Sequence, residues 1–258
     1  MQVCYMSGAG NDFMVIDARG QQMDFSTMAK ELCALTGADG FMAVDNSEVA
    51  DFKLHFYNSD GSRGEMCGNG SRCVSKFAYD HGIAPAVMRV EPDAGIVESV
   101  RVSENQYRVK LNNPSVVDLH RHGEMAYVEL GDPGVPHGVF HYAGLTWEMR
   151  DELRERMRAE RFAEYFTKGA NVNYYDWFGE NRIRILPFER GVEDFTLACG
   201  TGSGSTAVVL WTKGQLPEGK VAVENPGGTL EFEITGKDGV VESVLMTGPA
   251  ETLKVYEL

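Results

Sequence analysis

Two features that would mark a membrane or exported protein are missing from this 258-residue sequence. No apolar run approaches the roughly 20 residues that a transmembrane helix needs, so we expect no membrane span. The segment Met1–Tyr5 has no basic stretch followed by an apolar one, which is the pattern of a secretion signal. We therefore expect a cytoplasmic protein.

Positive charge is also scarce. The sequence has 24 lysines and arginines against 38 aspartates and glutamates, a formal net charge of −14. Such a balance disfavours binding to nucleic acids and to anionic membrane surfaces. It does not exclude a small anionic substrate, because backbone amides and a single nearby arginine can outweigh a distant field. A small molecule is therefore the partner that we expect.

Cysteine is infrequent, and its spacing excludes several kinds of site. There is no CxxC pair, which leaves no basis for a zinc ribbon or a thioredoxin-like motif. The count is odd in a chain expected to be cytoplasmic, so we predict thiols and no disulfide scaffold. The five cysteines are Cys4, Cys33, Cys67, Cys73 and Cys199.

Histidine gives no better indication of a metal. His137 and His141 have a spacing that would place two ligands on one face of a helix. The residues between them, Gly138-Val139-Phe140, predict a strand, which would separate the two rings. We predict no metal site, and nothing in the sequence requires a cofactor.

The most informative feature that is present is an internal repeat. Met66–Ser71 reads MCGNGS and Ala198–Ser203 reads ACGTGS, and the two cysteines are 199 − 67 = 132 residues apart. The same offset relates Phe56 to Phe188, Gly82 to Gly214 and Gly95 to Gly227. A repeat of this length indicates two similar structural units.

The segments around each CGxG motif read alike. Each motif follows an alternating strand and precedes a helical run that stops at a glycine, and a hairpin pattern comes next. The strands are Phe52–Asn58 and Arg182–Phe188, the helices Arg72–His81 and Ser205–Thr212, and the hairpins Val87–Glu91 with Ile96–Val102 and Val221–Glu224 with Thr229–Ile234. The second half alone contains a predicted charged surface helix, Trp147–Phe166, to which we assign no chemistry.

We therefore predict an α+β fold of two pseudo-symmetric domains, each a barrel-like sheet wrapped around a central helix, with the active site in the cleft between them. Asn112–Val117 interrupts a strand pattern and is the predicted boundary. The first domain is expected to span residues 1–115 together with a C-terminal strand at 250–258. The second domain is expected to span residues 116–249.

Two cysteines followed by glycines at helix starts suggest acid–base chemistry. Free N–H groups and the helix dipole at such a position attract a carboxylate and favour a thiolate. Taken singly, each motif also fits a small buried structural cysteine. The repeat favours a pair, Cys67 and Cys199, that removes a proton from one face of a carbon and returns one to the other.

The same residues resemble the diaminopimelate epimerase family, from one end of the chain to the other. The matching segments, in chain order, are Gly8-Ala9-Gly10-Asn11-Asp12-Phe13, Gly37-Ala38-Asp39-Gly40, Tyr57-Asn58-Ser59-Asp60-Gly61-Ser62, Met66-Cys67-Gly68-Asn69-Gly70, Pro136-His137, Gly169-Ala170-Asn171-Val172-Asn173, Glu189-Arg190-Gly191 and Ala198-Cys199-Gly200-Thr201-Gly202. The resemblance implies an epimerase without pyridoxal phosphate that interconverts LL- and meso-2,6-diaminopimelate, in lysine and peptidoglycan precursor synthesis.

The resemblance also assigns roles to particular residues. It implies that Cys67 and Cys199 are the catalytic thiols, assisted by His137 and Glu189. The amides of Gly68, Asn69, Gly200 and Thr201 would bind the carboxylate at the reacting end. The distal end of the amino acid would meet Asn11, Asn58, Asn171, Glu189 and Arg190. A homodimer is one assembly that the sequence allows.

Two positions depart from the family pattern. Val135 stands where the family commonly has an asparagine before Pro-His, and Phe195 stands where members often carry a glutamate. Neither change affects the thiols, so the racemase chemistry is better supported than the substrate. The alternatives are a racemase of another polar amino acid and, in a different class, a non-catalytic amino-acid-binding protein, which would have no need of two thiols.

Overall fold

The chain forms two compact units that are each rich in strands. The computed structural model describes residues 1–64, 68–93 and 95–257. One unit consists of Met1–Lys110 with Thr247–Leu258, and the other of Leu111–Met246. Seventeen strands and four α-helices are found in the described part of the chain. The predicted α+β class is confirmed.

In its described residues, the first unit has two helices, one enclosed by its strands and one packed against three of them. Its strands are β1 (Gln2–Gly8), β2 (Asn11–Asp17), β3 (Gly40–Asp45), β4 (Phe52–Asn58), β5 (Val87–Glu91), β6 (Val97–Arg101), β7 (Gln106–Leu111) and β17 (Glu251–Glu257), and its helices are α1 (Phe25–Thr36) and α2 (Gly68–Asp80). Every residue from Gly68 to Ala78 is buried. Helix α2 is therefore the central helix, and α1 packs against β2, β3 and β4.

Strand pairing in the first unit runs β17-β1-β2-β3-β4-β5-β6-β7. The β2–β3 and β4–β5 pairs are parallel, and the other pairs are antiparallel. The hairpin between β1 and β2 has the two-residue turn Ala9-Gly10, with φ of 60° and 90°. Positive φ at both positions is the type I′ turn that matches the twist of the strands, which explains the glycine-rich start of the motif.

The second unit has the same arrangement. Its elements are β8 (Pro114–His122), β9 (Met125–Gly131), β10 (Gly134–His141), a 3-10 turn (Trp147–Met149), α3 (Arg150–Arg161), β11 (Asn171–Gly179), β12 (Arg182–Glu189), β13 (Asp194–Phe195), α4 (Gly200–Thr212), β14 (Lys220–Asn225), β15 (Gly228–Lys237) and β16 (Val240–Pro249), the last of which continues into the first unit.

Its strands pair in the order β8-β9-β10-β11-β12-β14-β15. The β10–β11 and β12–β14 pairs are parallel, at the places that match β2–β3 and β4–β5. Residues Gly202–Leu210 of α4 are buried, so α4 occupies the central place that α2 has in the first unit. The two units thus share the topology expected from the repeat.

Both central helices begin earlier than their composition predicts. We expected Arg72 and Ser205 as the first helical residues, but α2 begins by Gly68 and α4 at Gly200. Glycine has a low intrinsic helix propensity, and this moved the predicted starts past the motifs. Tertiary burial overrides the propensity, so the motif glycines form the first turn of each helix.

The predicted surface helix is shorter than expected and is not merely solvated. Its α-helical part is Arg150–Arg161, after a 3-10 turn, and residues 162–166 are not helical. Leu153 and Met157 pack in a core cluster with Val172 and Phe188. The apolar face of α3 therefore covers strands β11 and β12. No helix in the described ranges is long and apolar enough to cross a membrane.

Candidate active site

In the first unit, an asparagine pair lies at the beginning of α2. The side-chain amide of Asn69 donates to Asn11 Oδ1 at 2.5 Å, and Asn11 Nδ2 donates to Asp39 Oδ2 at 3.2 Å. The backbone N–H of Asp12 donates to the same carboxylate oxygen at 2.9 Å. Asp39 therefore connects β2 to the α2 terminus, a role that the sequence analysis did not assign to it.

A close backbone approach sets the distance between β1 and α2. A Cβ atom at Gly8 would lie 2.9 Å from the carbonyl oxygen of Asn69 and 2.9 Å from Cys73 Sγ. Only glycine lets the strand pass this close to the helix. Gly68, Asn69 and Gly70 are all buried in the first turn. Cys73 is completely buried inside the unit.

Two further candidates lie in the first unit, and the structure describes only Asn58 of the two. Asn58 ends β4 in an exposed position, where its side chain donates to Ser62 Oγ at 2.9 Å within its own loop. The next residue, Ser59, donates its N–H to the carbonyl of Asp39. Asn58 and Asn11 thus adjoin the same Asp39 segment. Cys67, the first predicted thiol, lies outside the described residues.

In the second unit, Cys199 is the N-cap of α4 and is 4% exposed. Its sulfur accepts the N–H of Gly202 at 3.3 Å and lies 3.7 Å from Thr201 Oγ1. The first intrahelical bond of α4 runs from Ser203 N to Cys199 O. The amides of Gly200 and Thr201 precede that bond, so they are among the groups that a helix leaves available for an anion.

Burial and a neighbouring carboxylate control the protonation of Cys199. Desolvation raises its pKa well above the ordinary value, and the charge and hydrogen bond of Glu189 raise it further, while Gly202 N–H and Thr201 act in the opposite direction. The sequence had suggested a thiolate stabilised by the helix terminus. The structure differs because the cost of burying a charged sulfur beside a carboxylate exceeds what these donors supply.

Glu189 is itself fixed at the end of β12. Its Oε1 accepts the hydroxyl of Thr196 at 2.5 Å, and its backbone pairs with Asp194 on β13. Thr196 was not among the predicted residues. Its place two residues before Ala198-Cys199 was the only signal in the sequence that could have indicated it.

His137 is completely buried on β10, directly opposite Asn171 of β11. Desolvation, and then the charge of Arg190, lower the pKa of His137 to about 3, so the ring is neutral. The amide Nδ2 of Asn173 lies 3.2 Å from His137 Nδ1 and donates to Gly138 O at 3.2 Å. A donor at Nδ1 selects the tautomer with the proton on Nε2.

Two buried polar atoms beside α4 have no hydrogen-bond partner among the described residues. They are His137 Nε2 and Asn173 Oδ1. A Cβ at Gly202 would lie 2.2 Å from Asn173 Oδ1 and 3.0 Å from Cys199 Sγ, which places the amide oxygen at the same turn as the thiol. Buried polar groups without partners are uncommon and require an explanation, for example a bound ligand. Asn173 is a second residue that the predicted set omitted.

Arg190 and Asn171 form the last group of predicted residues. The backbone N–H of Arg190 donates to Asn171 Oδ1 at 2.7 Å, across from β11 to the turn that follows β12. The Arg190 residue is exposed, whereas Asn171 is 5% exposed. Asn171 therefore holds the main chain of Arg190, and the charge of this arginine acts on the buried His137 ring.

The two departures from the family pattern have different surroundings. The ring of Phe195 packs edge-on against Phe188 at 5.4 Å, and Arg154 lies over it. It belongs to the core between α3 and the sheet, so a packing role accounts for this position. Val135 is half-buried on β10, opposite Leu130. No group of three or more His, Cys, Asp or Glu within the described ranges is arranged to hold a metal ion.

Solved structures match this fold over its whole length. A phenazine biosynthesis protein of the PhzF family from Bacillus anthracis matches with a TM-score of 0.76 and 14% identity, over 100% of this chain and 98% of that one. A hydroxyproline epimerase from Agrobacterium vitis, with bound trans-4-hydroxy-L-proline, matches with a TM-score of 0.63 and 16% identity, over 99% and 91%. The fold is the α+β fold shared by these proteins.

Sequence relatives then identify the family. The sequence model for diaminopimelate epimerase matches residues 3–117 and 132–253. The diaminopimelate epimerase of Aquifex aeolicus is 35% identical over 100% of this chain and 96% of its own, and that of Chlorobaculum tepidum is 33% identical over 96% and 97%. The chain belongs to the diaminopimelate epimerase family, which confirms the resemblance seen in the motifs, and it is an isomerase.

Proposed function

We propose that this chain interconverts LL- and meso-2,6-diaminopimelate by a two-base mechanism with Cys67 and Cys199 as acid and base. Family membership supports the substrate. The observation that supports the chemistry most strongly is Cys199 at the N-cap of α4, with its sulfur bonded to the helix amide and Glu189 beside it. The same position in the repeat belongs to Cys67.

The protonation of Cys199 fits one half of this mechanism. A two-base enzyme needs one thiolate and one protonated thiol at the start of each turnover. Burial and Glu189 favour the thiol form of Cys199, which suits it to start as the acid, and Cys67 would then start as the base. The C–H bond at the α-carbon breaks toward Cys67, the electron pair is delocalised into the carboxylate, and the Cys199 S–H proton is delivered to the carbon. The reverse direction exchanges the two roles.

Backbone amides stabilise the charge that develops. The carboxylate next to the reacting carbon would bind the first-turn amides of α2 and α4, at Gly68, Asn69, Gly200 and Thr201. These donors are fixed by the helices before the substrate arrives, so no reorganisation is needed when the negative charge forms. The Nε2–H of His137 and the carboxylate of Glu189 would assist by orienting the thiol and the substrate ammonium group.

The distal end of the substrate would be recognised by Asn11, Asn58, Asn171, Glu189 and Arg190. Arg190 can pair with the distal carboxylate through two parallel hydrogen bonds, a geometry that guanidinium favours. Its exposed position and the anchoring of its main chain by Asn171 are consistent with this task. Two domains with the boundaries 1–115 plus 250–258 and 116–249, a cytoplasmic location and a homodimer stay predictions, as does a place in lysine and peptidoglycan precursor synthesis.

The test measures stereochemistry and proton exchange together. LL-diaminopimelate is incubated with the protein in heavy water, and the meso isomer and deuterium at the α-carbon are followed by chromatography and mass spectrometry. We expect inversion with deuterium incorporation, and loss of both in Cys67→Ala and Cys199→Ala. Cys33→Ala, which removes a thiol on α1, is the control that should stay active.

Three other results would contradict parts of the proposal. Faster turnover of lysine, histidine or glutamate than of diaminopimelate would leave a racemase of another polar amino acid. Binding without any deuterium exchange would indicate an amino-acid-binding protein. Near wild-type inversion in either active-cysteine variant would exclude the two-thiol mechanism.

A further inference from the structure

A buried arginine lies at the C-terminal end of α3, away from the residues with assigned roles. Arg161 is 6% exposed, and its guanidinium Nη2 lies 3.0 Å from Glu193 Oε1. A buried cation is costly unless it is paired and hydrogen-bonded, and surface ion pairs alone contribute little. The placement of this charge inside the unit therefore calls for a reason beyond the pair itself.

Arg161 contacts both second-unit segments that carry proposed distal-site residues. Its main-chain carbonyl accepts the N–H of Ala170, immediately before Asn171. Its guanidinium binds the Glu193 carboxylate, and the same oxygen, Oε1, accepts the N–H of Gly191 at 2.9 Å. Through its main chain and its side chain together, Arg161 thus connects the end of α3, the start of β11 and the turn between β12 and β13.

The turn that Arg161 holds is unusual in its backbone. It joins Glu189 to Asp194, with φ of 91° at Gly191 and 57° at Glu193. A left-handed glutamate is unfavourable by itself and persists when its surroundings fix it. The Arg161 and Gly191 contacts to its carboxylate do so. Glu189 and Arg190 lie at the beginning of this same turn, and the Arg190 N–H is bonded to Asn171.

The chain also leaves space for the guanidinium. Gly169 has φ of 66°, and a Cβ there would lie 1.8 Å from Arg161 Nη1 and 2.9 Å from its carbonyl oxygen. The backbone at Gly169 therefore crosses directly over the arginine. This contact gives a physical reason for the glycine in the Gly169-Ala170-Asn171 motif, and it fixes the guanidinium from a second side.

We infer that Arg161 is a positioning residue, which fixes the turn carrying Glu189 and Arg190 against the segment carrying Asn171. It touches neither the thiol nor the proposed substrate groups directly. The catalytic part of this inference rests on the proposed function. The structural part, which is the geometry of Glu189 relative to Cys199, can be measured without any substrate.

The first experiment compares Arg161→Met with Arg158→Met. Arg158 is an exposed arginine one turn earlier on the same helix, so its removal changes the net charge equally. In Arg161→Met we expect kcat/KM for LL-diaminopimelate to fall roughly tenfold to a hundredfold, mostly through KM, since small displacements of substrate-orienting groups have effects of this size. Arg158→Met should stay within about twofold of wild type.

The second readout is the pH dependence of Cys199 alkylation, mapped by mass spectrometry. Glu189 raises the pKa of Cys199, so a loosened turn that withdraws this carboxylate should move the alkylation profile to lower pH. A merely structural arginine would lower the melting temperature and leave this profile unchanged. The groups that affect the pKa of Cys199 are Glu189, which lies on β12, and Thr201 and the Gly202 amide, which lie on α4. The two groups on α4 are not expected to move in these variants.

A second pair of variants tests the contact without removing a charge. Gly169→Ala should displace the guanidinium and reproduce both effects, whereas Gly144→Ala has a similar φ of 79° but an open surrounding and should reproduce neither. If Arg161→Met and Gly169→Ala both keep kcat/KM and the alkylation profile of wild type, the inference is overturned. If wild type fails to turn over diaminopimelate but the alkylation profile moves as expected, the proposed substrate fails and the positioning role stands.

Discussion

The first turn of α4 offers a direct test of how closely the site is packed. Gly202→Ala adds one methyl group at a position where the new carbon would lie 2.2 Å from Asn173 Oδ1 and 3.0 Å from Cys199 Sγ. An ordinary contact begins near 3.4 Å, so the amide of Asn173, the thiol or the helix start must move by about 1 Å. Displacements of that size in an active site cost on the order of a hundredfold in rate, equivalent to about 2.7 kcal/mol in the activation barrier.

Stability should change much less than activity in this variant. Alanine is favoured over glycine in a helix by roughly 0.5–1 kcal/mol, which offsets part of the steric cost. The matched control is Gly204→Ala on the same helix. Its new carbon would lie 3.1 Å from Leu111 Cδ1 and 3.2 Å from a Phe232 ring atom, in the core and away from the thiol.

The assay is kcat/KM for inversion of LL-diaminopimelate, with the free energy of unfolding measured in urea. We expect a large kinetic defect in Gly202→Ala and a small one in Gly204→Ala. Comparable defects in both would indicate general damage to the unit. A Gly202→Ala protein with wild-type kcat/KM would refute the argument that Asn173, Gly202 and Cys199 form one closely packed group.

Three further predictions concern charge. Glu189→Gln removes the carboxylate that raises the pKa of Cys199, so alkylation of Cys199 should reach half its maximal rate at a lower pH, and an unchanged or higher midpoint would contradict this. Burial and Arg190 lower the pKa of His137 to about 3 from an unfolded value near 6.5, so stability is lost as the pH falls through this interval. The free energy of unfolding in urea is measured at pH 7 and at pH 5. Between these pH values it should fall less in His137→Gln than in the exposed control His120→Gln, and equal falls would contradict the prediction. Finally, Arg190→Met should lower kcat/KM for diaminopimelate by an amount equivalent to on the order of 2 kcal/mol of transition-state binding, as breaking a charge pair does. Lysine has no distal carboxylate, so its poor turnover should not change.

The internal repeat carried most of what the sequence could predict about the fold. Strands Phe52–Asn58 and the one beginning at Arg182 were predicted from alternation, because buried residues alternate with more exposed ones at the start of each. The helix starts were not predicted, since the glycines at Gly68 and Gly200 disfavour helix locally and are placed in it by burial. Local patterns therefore identified the elements, and tertiary packing set their ends.

The sequence predicted Cys199 from a short motif, but it did not predict contacts that form only in the folded chain. Cys199 lies within a motif, and the structure places it at a helix terminus as expected, but its raised pKa depends on burial and on Glu189 from a different strand. Asn173 and Thr196 were omitted because only the fold brings them beside His137 and Glu189. Asn173 ends the Gly169–Asn173 segment and Thr196 shortly precedes Ala198-Cys199, but these positions alone do not specify either contact.

The pairing of β17 with β1 has a consequence for the order in which the two units fold while the chain is being translated. Strand β17 pairs with β1 from Gln2 to Ser7, so the first unit lacks this strand until residues 251–257 have been made. The second unit, Leu111–Met246, is continuous in the chain and can acquire all of its strands earlier. Domains commonly fold as units during synthesis. On a ribosome, the segment translated first should therefore be the one that finishes folding last, and a truncated product ending before Glu251 would expose the unpaired edge of β1.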